Sequence, residues 1–275
     1  MLNSQTVGNR SAIPMQLHSM RPLVIHYKDR MIRKRAVFVA PVPYSICSIN
    51  SRNKYNHRCR QQGVLTGASL MVRAPAAQHA VACSAADPGL SLGLHIDLGE
   101  WELRKEQWVQ THFVVPLDNV TAVRDEILRQ MDAFRKLTGR DPTHLDSHQH
   151  VHQQDPVRDL VRNLAGQMGI VVRGDNSVVK FQGSFYGQDE HLQPRPEFIG
   201  VVNLIRLINN LQPGITEMSC HPGLDVQLNS SYRDQRPLEV LSLCDPAVRE
   251  TINQCRIQLI SFAMLKCKPD RQAVI

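Results

Sequence analysis

The sequence predicts an α/β domain built on a parallel sheet, and two observations lead there. From Gly63 onward, apolar runs of strand length alternate with segments of helical periodicity, a βαβ rhythm. Those strand runs are apolar almost throughout, as expected of strands covered on both faces. Barrel-like closure is favoured over an open sheet, although the periodicity of the two is the same.

The elements follow in order. VLTGASLMV (64–72) and LSLGLHIDL (90–98) are strands, and the intervening PAAQHAVACSAADPG suits a short helix ending at a turn. Val120, Val123, Ile127, Met131, Phe134 and Leu137 recur at helical spacing, with Gly139 and Pro142 as stops. THLDSHQHVH (143–152) begins as the next strand. Asp155 and Pro156 read as N-cap and first residue of a helix that buries Val157, Leu160, Val161 and Leu164 and closes at Gly169. GIVVRG is a buried strand, and residues 175–197 read as a loop able to bind or cover a substrate. VVNLIRLINNLQ is helical, ITEMSC a strand, Asp245-Pro246 a helix start, and RIQLISF the last strand.

The 275 residues are enough for a sizeable core, and one domain is the simpler expectation. The net charge of +7 is unevenly spread: residues 1–62 hold eleven Lys/Arg against one acid, Asp29, leaving 21 basic and 24 acidic residues in 63–275. The chain therefore divides into an irregular basic segment, 1–62, and a folded domain, 63–275. The first has no sustained periodicity, and no secretory signal is expected in it. Its composition is open to reading as a transit peptide or a nucleic-acid arm, but a basic run alone is weak support, and no nucleic-acid partner is expected. Seven cysteines without a CxxC pair favour a reduced, cytoplasmic protein. No apolar run reaches about 18 residues, so no membrane span is expected.

Three histidines stand at or near the ends of predicted strands: His95 in LGLHIDL, His148 in THLDSHQH and His221 in EMSCHPG. Parallel strands present their C-termini on one face, where sites are built, so these side chains can converge despite their separation in sequence. Neutral imidazoles ligate divalent metals, and a third histidine can donate a proton near neutral pH. Asp97 and Asp146 share strand parity with His95 and His148 and are expected to orient them. His144 is read as a buried structural residue, and His150 and His152 are left open between lining the site and no role. Cys220 and His221 are neighbours on a strand and point apart, which excludes a dyad. GxSxG, Walker and GxGxxG motifs are absent.

At GVLTGASLMV, GLH (93–95), PTHLDSHQHVH, CHPG (220–223), SSYRDQR (230–236) and LISF (259–262), the sequence resembles the YdjC family of carbohydrate deacetylases. That family includes chitooligosaccharide and hopanoid-biosynthesis deacetylases. The resemblance covers about 63–263. It implies a NodB-like deacetylase fold, a distorted or incomplete (β/α) barrel, and removal of an N-acetyl group from an amino sugar or oligosaccharide by a divalent metal ion, Mg²⁺ or Zn²⁺. It implies His95 and His148 as metal ligands and His221 as the acid that protonates the departing amine. Homodimeric assembly is left open.

The family pattern also has an Asp-Asp-Phe-Gly-like motif closing its first strand, with one aspartate as third ligand and the other as base. Here the equivalent spacing falls on Tyr44 and Ser45, and the chain contains no Asp-Asp pair. The expectation is that residues 1–62 are not the family's own beginning. The rival expectation is a diverged, non-catalytic homologue that binds carbohydrate.

Overall fold

The structure, a computed structural model, describes residues 34–42, 59–105, 107–175, 178–223 and 231–265. Its strands are β1 (Lys34–Val42), β2 (Gly67–Leu70), β3 (Ser91–Ile96), β4 (Gly99–Arg104), β5 (Gln107–Phe113), β6 (His144–Ser147), β7 (Val171–Val172), β8 (Val179–Gln182), β9 (Gly214–Ser219) and β10 (Gln258–Leu259). The helices are α1 (Ala77–Ala85), α2 (Val120–Thr138), α3 (Val157–Met168), α4 (Val201–Asn209), α5 (Arg236–Leu243) and α6 (Pro246–Gln254).

The main sheet runs β7-β6-β3-β2-β1-β9-β8, with β10 also paired to β1, and every pairing in it is parallel. It is curled. Val171 of β7 and Val179 of β8 come from opposite ends of the strand order, yet they share one buried cluster with Val37 and Val39 of the central β1. Curling brings the two ends together with no ladder between them among the described residues, giving the incomplete barrel that the family resemblance implies.

Strand parity divides the interior. On the convex side, Leu92, Leu94 and Ile96 of β3 and Leu145 of β6 pack under α1, α2 and α3, against Val123, Ile127, Phe134 and Val161. Ala36, Phe38 and Ala40 of β1 and Met218 of β9 pack under α4, α5 and α6, against Leu204, Ile208, Val240 and Ile252. Each buried Val, Leu, Ile, Phe or Met among them stabilises the fold by roughly 1.5–3 kcal/mol before entropy is counted. The opposite parity faces the concave side, where near the strand ends it is polar: Ser69, His95, His144, Asp146, Glu217 and Ser219 are all buried.

Local signals account for several helix limits. The Asn119 side chain accepts from Ala122 N–H at 3.0 Å to start α2, and Gly139, at φ 70°, ends it with its N–H on Arg135 O. Asp245 caps α6 through Ala247 N–H. Asp155 does not cap α3 as expected: Pro156 occupies the N-cap position, and the Asp155 carboxylate pairs with Arg158.

Three further elements depart from the sequence reading. The segment 1–62, expected to be irregular, contributes β1, whose pairing with β9 and β2 places it in the middle of the sheet. Residues 99–113 form an antiparallel hairpin, β4–β5, outside the main sheet, and every residue of β5 is exposed. The stretch read as a loop, 175–197, contains β8. Tyr44 and Ser45 lie outside the described residues.

Among the described residues, no helix is long and apolar enough to cross a membrane.

Candidate active site

His95 and Asp146 are register partners on adjacent parallel strands, so their side chains emerge side by side on the concave face. His95 Nδ1 lies 2.9 Å from Asp146 Oδ1. Nδ1–H donates to the carboxylate, which sets the tautomer and leaves Nε2 as the ring's open lone pair. The other carboxylate oxygen accepts from Ser69 Oγ at 2.9 Å and from the Arg173 guanidinium. Burial pushes the Asp146 carboxyl up, but the His95 imidazole and the Arg173 guanidinium outweigh it and hold the group well below the usual carboxylate range. Asp146 was expected to support His148; the register gives it to His95 instead.

Arg173 follows β7 and reaches across the barrel's open seam. Its Nε donates to Glu217 Oε1 on β9 at 2.8 Å, and Gly174 N–H donates to Glu217 Oε2. One buried guanidinium thus binds carboxylates from β6 and β9. Burial pushes the Glu217 carboxyl above its ordinary value, against the pull of Arg173.

The alternating histidines separate into distinct roles. His144 is fully buried, with Nε2 on Ser69 Oγ at 3.0 Å, Nδ1 on Thr143 Oγ1 at 2.8 Å and its ring on Phe262. Burial pulls its pKa down to about 3, so it is a neutral structural residue, as expected. His152 Nε2 donates to Arg173 O at 2.8 Å and its Nδ1 meets Ser147 Oγ at 2.7 Å, a second structural tie. His150 lines the cleft beside Phe181. His148, the first residue past β6, turns its ring edge-on to His95 with centroids 6.0 Å apart.

The chain makes a tight left-handed turn directly after His148: Gln149 and His150 have φ 50° and 56°. Non-glycine residues hold that conformation only where neighbours over-determine it. Gln149 is held at both ends of its amide, accepting from Trp101 N–H at 2.9 Å and donating to Trp101 O at 2.6 Å. This clasp fastens the β4–β5 hairpin to the loop that carries His148, and Glu100 Oε1 stands 3.8 Å from His148 Nε2.

His221 follows β9, with its ring 5.5 Å from those of Tyr186 and Tyr232, which stack on each other. Its backbone N–H donates to the Glu239 carboxylate, which also accepts from Tyr232 O–H at 2.5 Å. Burial and the neighbouring Arg236 charge pull His221 well below the ordinary imidazole value. Among the described residues its buried Nδ1 has no hydrogen-bond partner.

His95, His148 and His221 all line one cleft of about 1070 Å³ at the C-terminal ends of β3, β6 and β9. Trp101, Trp108 and Tyr186 add aromatic wall. Asp97 is turned elsewhere: its Oδ1 accepts from Gly99 N–H, and Arg73 lies 3.9 Å from its other oxygen. Arg173, Gln149, Glu100 and Glu239 were not singled out from sequence. Only Arg173, directly after an apolar strand, carried a positional signal.

Among the described residues, no three His, Cys, Asp or Glu side chains are already gathered as a metal site. His95 and His148 are nonetheless two imidazoles that could hold a metal ion. One is an imidazole with a carboxylate behind Nδ1, and the other faces it from the next strand end. Catalytic zinc usually takes three protein ligands.

The family model described as YdjC-like protein matches residues 53–254. A chitooligosaccharide deacetylase of Serratia marcescens is 31% identical over 240 residues, covering 74% of this chain and 88% of that protein. A carbohydrate deacetylase of Geobacillus stearothermophilus is 31% identical over 230 residues, covering 74% and 87%. A crystallised Enterococcus faecalis V583 protein, described as a cellobiose-phosphate cleavage protein, superposes with TM-score 0.67 at 20% identity over 85% of this chain and 99% of that one, a likeness in fold. With strand order, histidine placement and family match in agreement, the chain belongs to the YdjC-like protein family.

Proposed function

We propose that this chain is a metal-dependent carbohydrate deacetylase that hydrolyses the N-acetyl group of an amino sugar or oligosaccharide. The observation that carries the reading is the His95–Asp146 pair beside His148 at the strand ends, in a cleft that also exposes His221. His95 and His148 would hold a divalent ion, Mg²⁺ or Zn²⁺. When bound, it would supply Lewis-acid polarisation of the acetamide and activation of water.

The protein's own groups account for the remaining steps. Asp146 keeps the His95 Nε2 lone pair aimed into the cleft, and Arg173 keeps Asp146 in place. The aromatic wall offers apolar faces for a sugar ring. Hydrolysis breaks the amide C–N bond, the oxygen of water leaves in acetate, and the amine nitrogen gains a proton. His221 is the proposed proton donor. Burial and the Arg236 charge keep the resting ring neutral, so it would first take up the proton released as water attacks and then pass it to the departing amine.

The test is acetate release from N-acetylated chito-oligosaccharides by metal-loaded protein, with His148→Ala and His221→Ala beside it. Release by the parent chain and loss of at least about 100-fold in each variant is expected. Sugar binding without acetate release would overturn the proposal in favour of a carbohydrate-binding homologue.

A further inference from the structure

We propose that Glu100, at the root of the β4–β5 hairpin, is the carboxylate ligand that completes the metal site begun by His95 and His148. This rests on the two-histidine reading above and adds a residue to it. The first support is distance. Glu100 Oε1 lies 3.8 Å from His148 Nε2. Two donors bound to one tetrahedral ion at about 2.0–2.1 Å are roughly 3.3 Å apart, so closing about half an ångström suffices. Glu100 is half-exposed and free to make that adjustment by side-chain rotation.

The second support is that the neighbourhood is built. The Gln149 clasp binds both backbone polar groups of Trp101, the residue after Glu100, while Gln149 itself is the residue after His148. Two consecutive left-handed residues, Gln149 and His150, shape that turn. Together they fix the hairpin root against the His148 loop, so that Glu100 and His148 are held as neighbours. Hairpins joined to a domain only by their ends have no such constraint.

The third support is elimination among carboxylates. Residues 43–58, directly after β1, contain no Asp or Glu. Among the described residues, the acidic ones lining the cleft are Glu100, Glu102 and Asp146. Asp146 has both oxygens engaged, by His95 on one side and by Ser69 and Arg173 on the other. Glu102 is paired with Arg104 at 2.9 Å. Glu100 is the cleft carboxylate that already faces a proposed ligand. Two histidines and one glutamate form a known catalytic ligand set for zinc, which leaves a position for water or substrate.

The experiment titrates Zn²⁺ and Co²⁺ into the metal-free full chain by calorimetry and by the visible absorption of Co²⁺. It compares the parent with Glu100→Gln, Glu102→Gln and His148→Ala. Glu100→Gln is expected to weaken binding at least about tenfold and to alter the Co²⁺ spectrum, whereas Glu102→Gln behaves as the parent. If Glu100→Gln binds like the parent while His148→Ala does not bind, the Glu100 inference is overturned and the histidine reading stands. If the parent takes up neither ion, both fall.

Discussion

His95 Nδ1 and Asp146 Oδ1 meet at 2.9 Å across adjacent parallel strands, and the same carboxylate is bound by Arg173 from β7. A single buried acid therefore orients a candidate ligand and ties the sheet toward its open seam. Asp146→Asn should remove both functions. Breaking a buried ion pair by deleting one partner costs about 3–5 kcal/mol, and loss of a carboxylate behind a metal-binding imidazole weakens affinity by about 10–100-fold. Urea unfolding and metal titration measure the two effects, and a variant with parental values in both would refute the assignment.

Gly93 faces the concave side of β3, where an added Cβ would collide with the imidazole of His144. His144 cannot retreat without giving up Ser69 and Thr143 or its contact with Phe262. Gly93→Ala is expected to destabilise the fold by about 1–3 kcal/mol through overpacking. Gly139→Ala is the comparison: it meets nothing within 4 Å, and its left-handed φ of 70° is the only penalty, about 1 kcal/mol. Equal denaturation midpoints for the two variants would contradict the collision.

Glu239 is fully buried, and burial pushes its carboxyl from 4.5 up to about 7, against the opposing effects of Tyr232 O–H, His221 N–H and the Arg236 charge. A folded-state pKa above the unfolded value in an acid means the folded protein holds a proton that the unfolded chain gives up. The resulting stability is present below about pH 4.5 and is lost as pH rises toward about 7. Above that it is flat. Glu239→Gln, which cannot ionise, should lack this component. The parent-minus-variant stability should therefore fall by up to about 3 kcal/mol between pH 4.5 and 7.5. A pH-independent difference in urea titrations would rule the titration out.

Both tryptophans of the chain, Trp101 and Trp108, lie on the β4–β5 hairpin, so fluorescence excited selectively at tryptophan reports on it alone. Gln149→Ala removes the two hydrogen bonds that clasp Trp101 and should lower the steady-state anisotropy of the tryptophans. Because the hairpin is outside the main sheet, the melting of the domain should move little. Unchanged anisotropy would show that other contacts hold the hairpin.

Much of the architecture was legible because it depends on local periodicity. Apolar runs such as LSLGLHIDL announce strands buried on both faces, and Val123, Ile127, Met131 and Phe134 are the buried face of α2 as their spacing requires. β1 was not legible. AVFVAPV is apolar but sits between arginines and prolines, and only its pairing with β2 and β9, far along the chain, makes it the central strand. The hairpin β4–β5 escaped for a related reason: β5 is exposed throughout, and β4 turns only Gly99, Trp101 and Leu103 inward, too short a pattern to stand out.

The site divides along the same line. The sequence by itself determined that His95, His148 and His221 stand at the ends of parallel strands, since strand limits and strand direction follow from apolar runs and βαβ alternation. Only the tertiary structure decided which carboxylate serves which histidine. Register between β3 and β6 gives Asp146 to His95, curling of the sheet brings Arg173 and Glu217 together across the seam, and the Gln149 clasp sets Glu100 beside His148. Register, curvature and docking of a hairpin are fixed by contacts between residues distant in the chain, and no periodicity in a single strand encodes them.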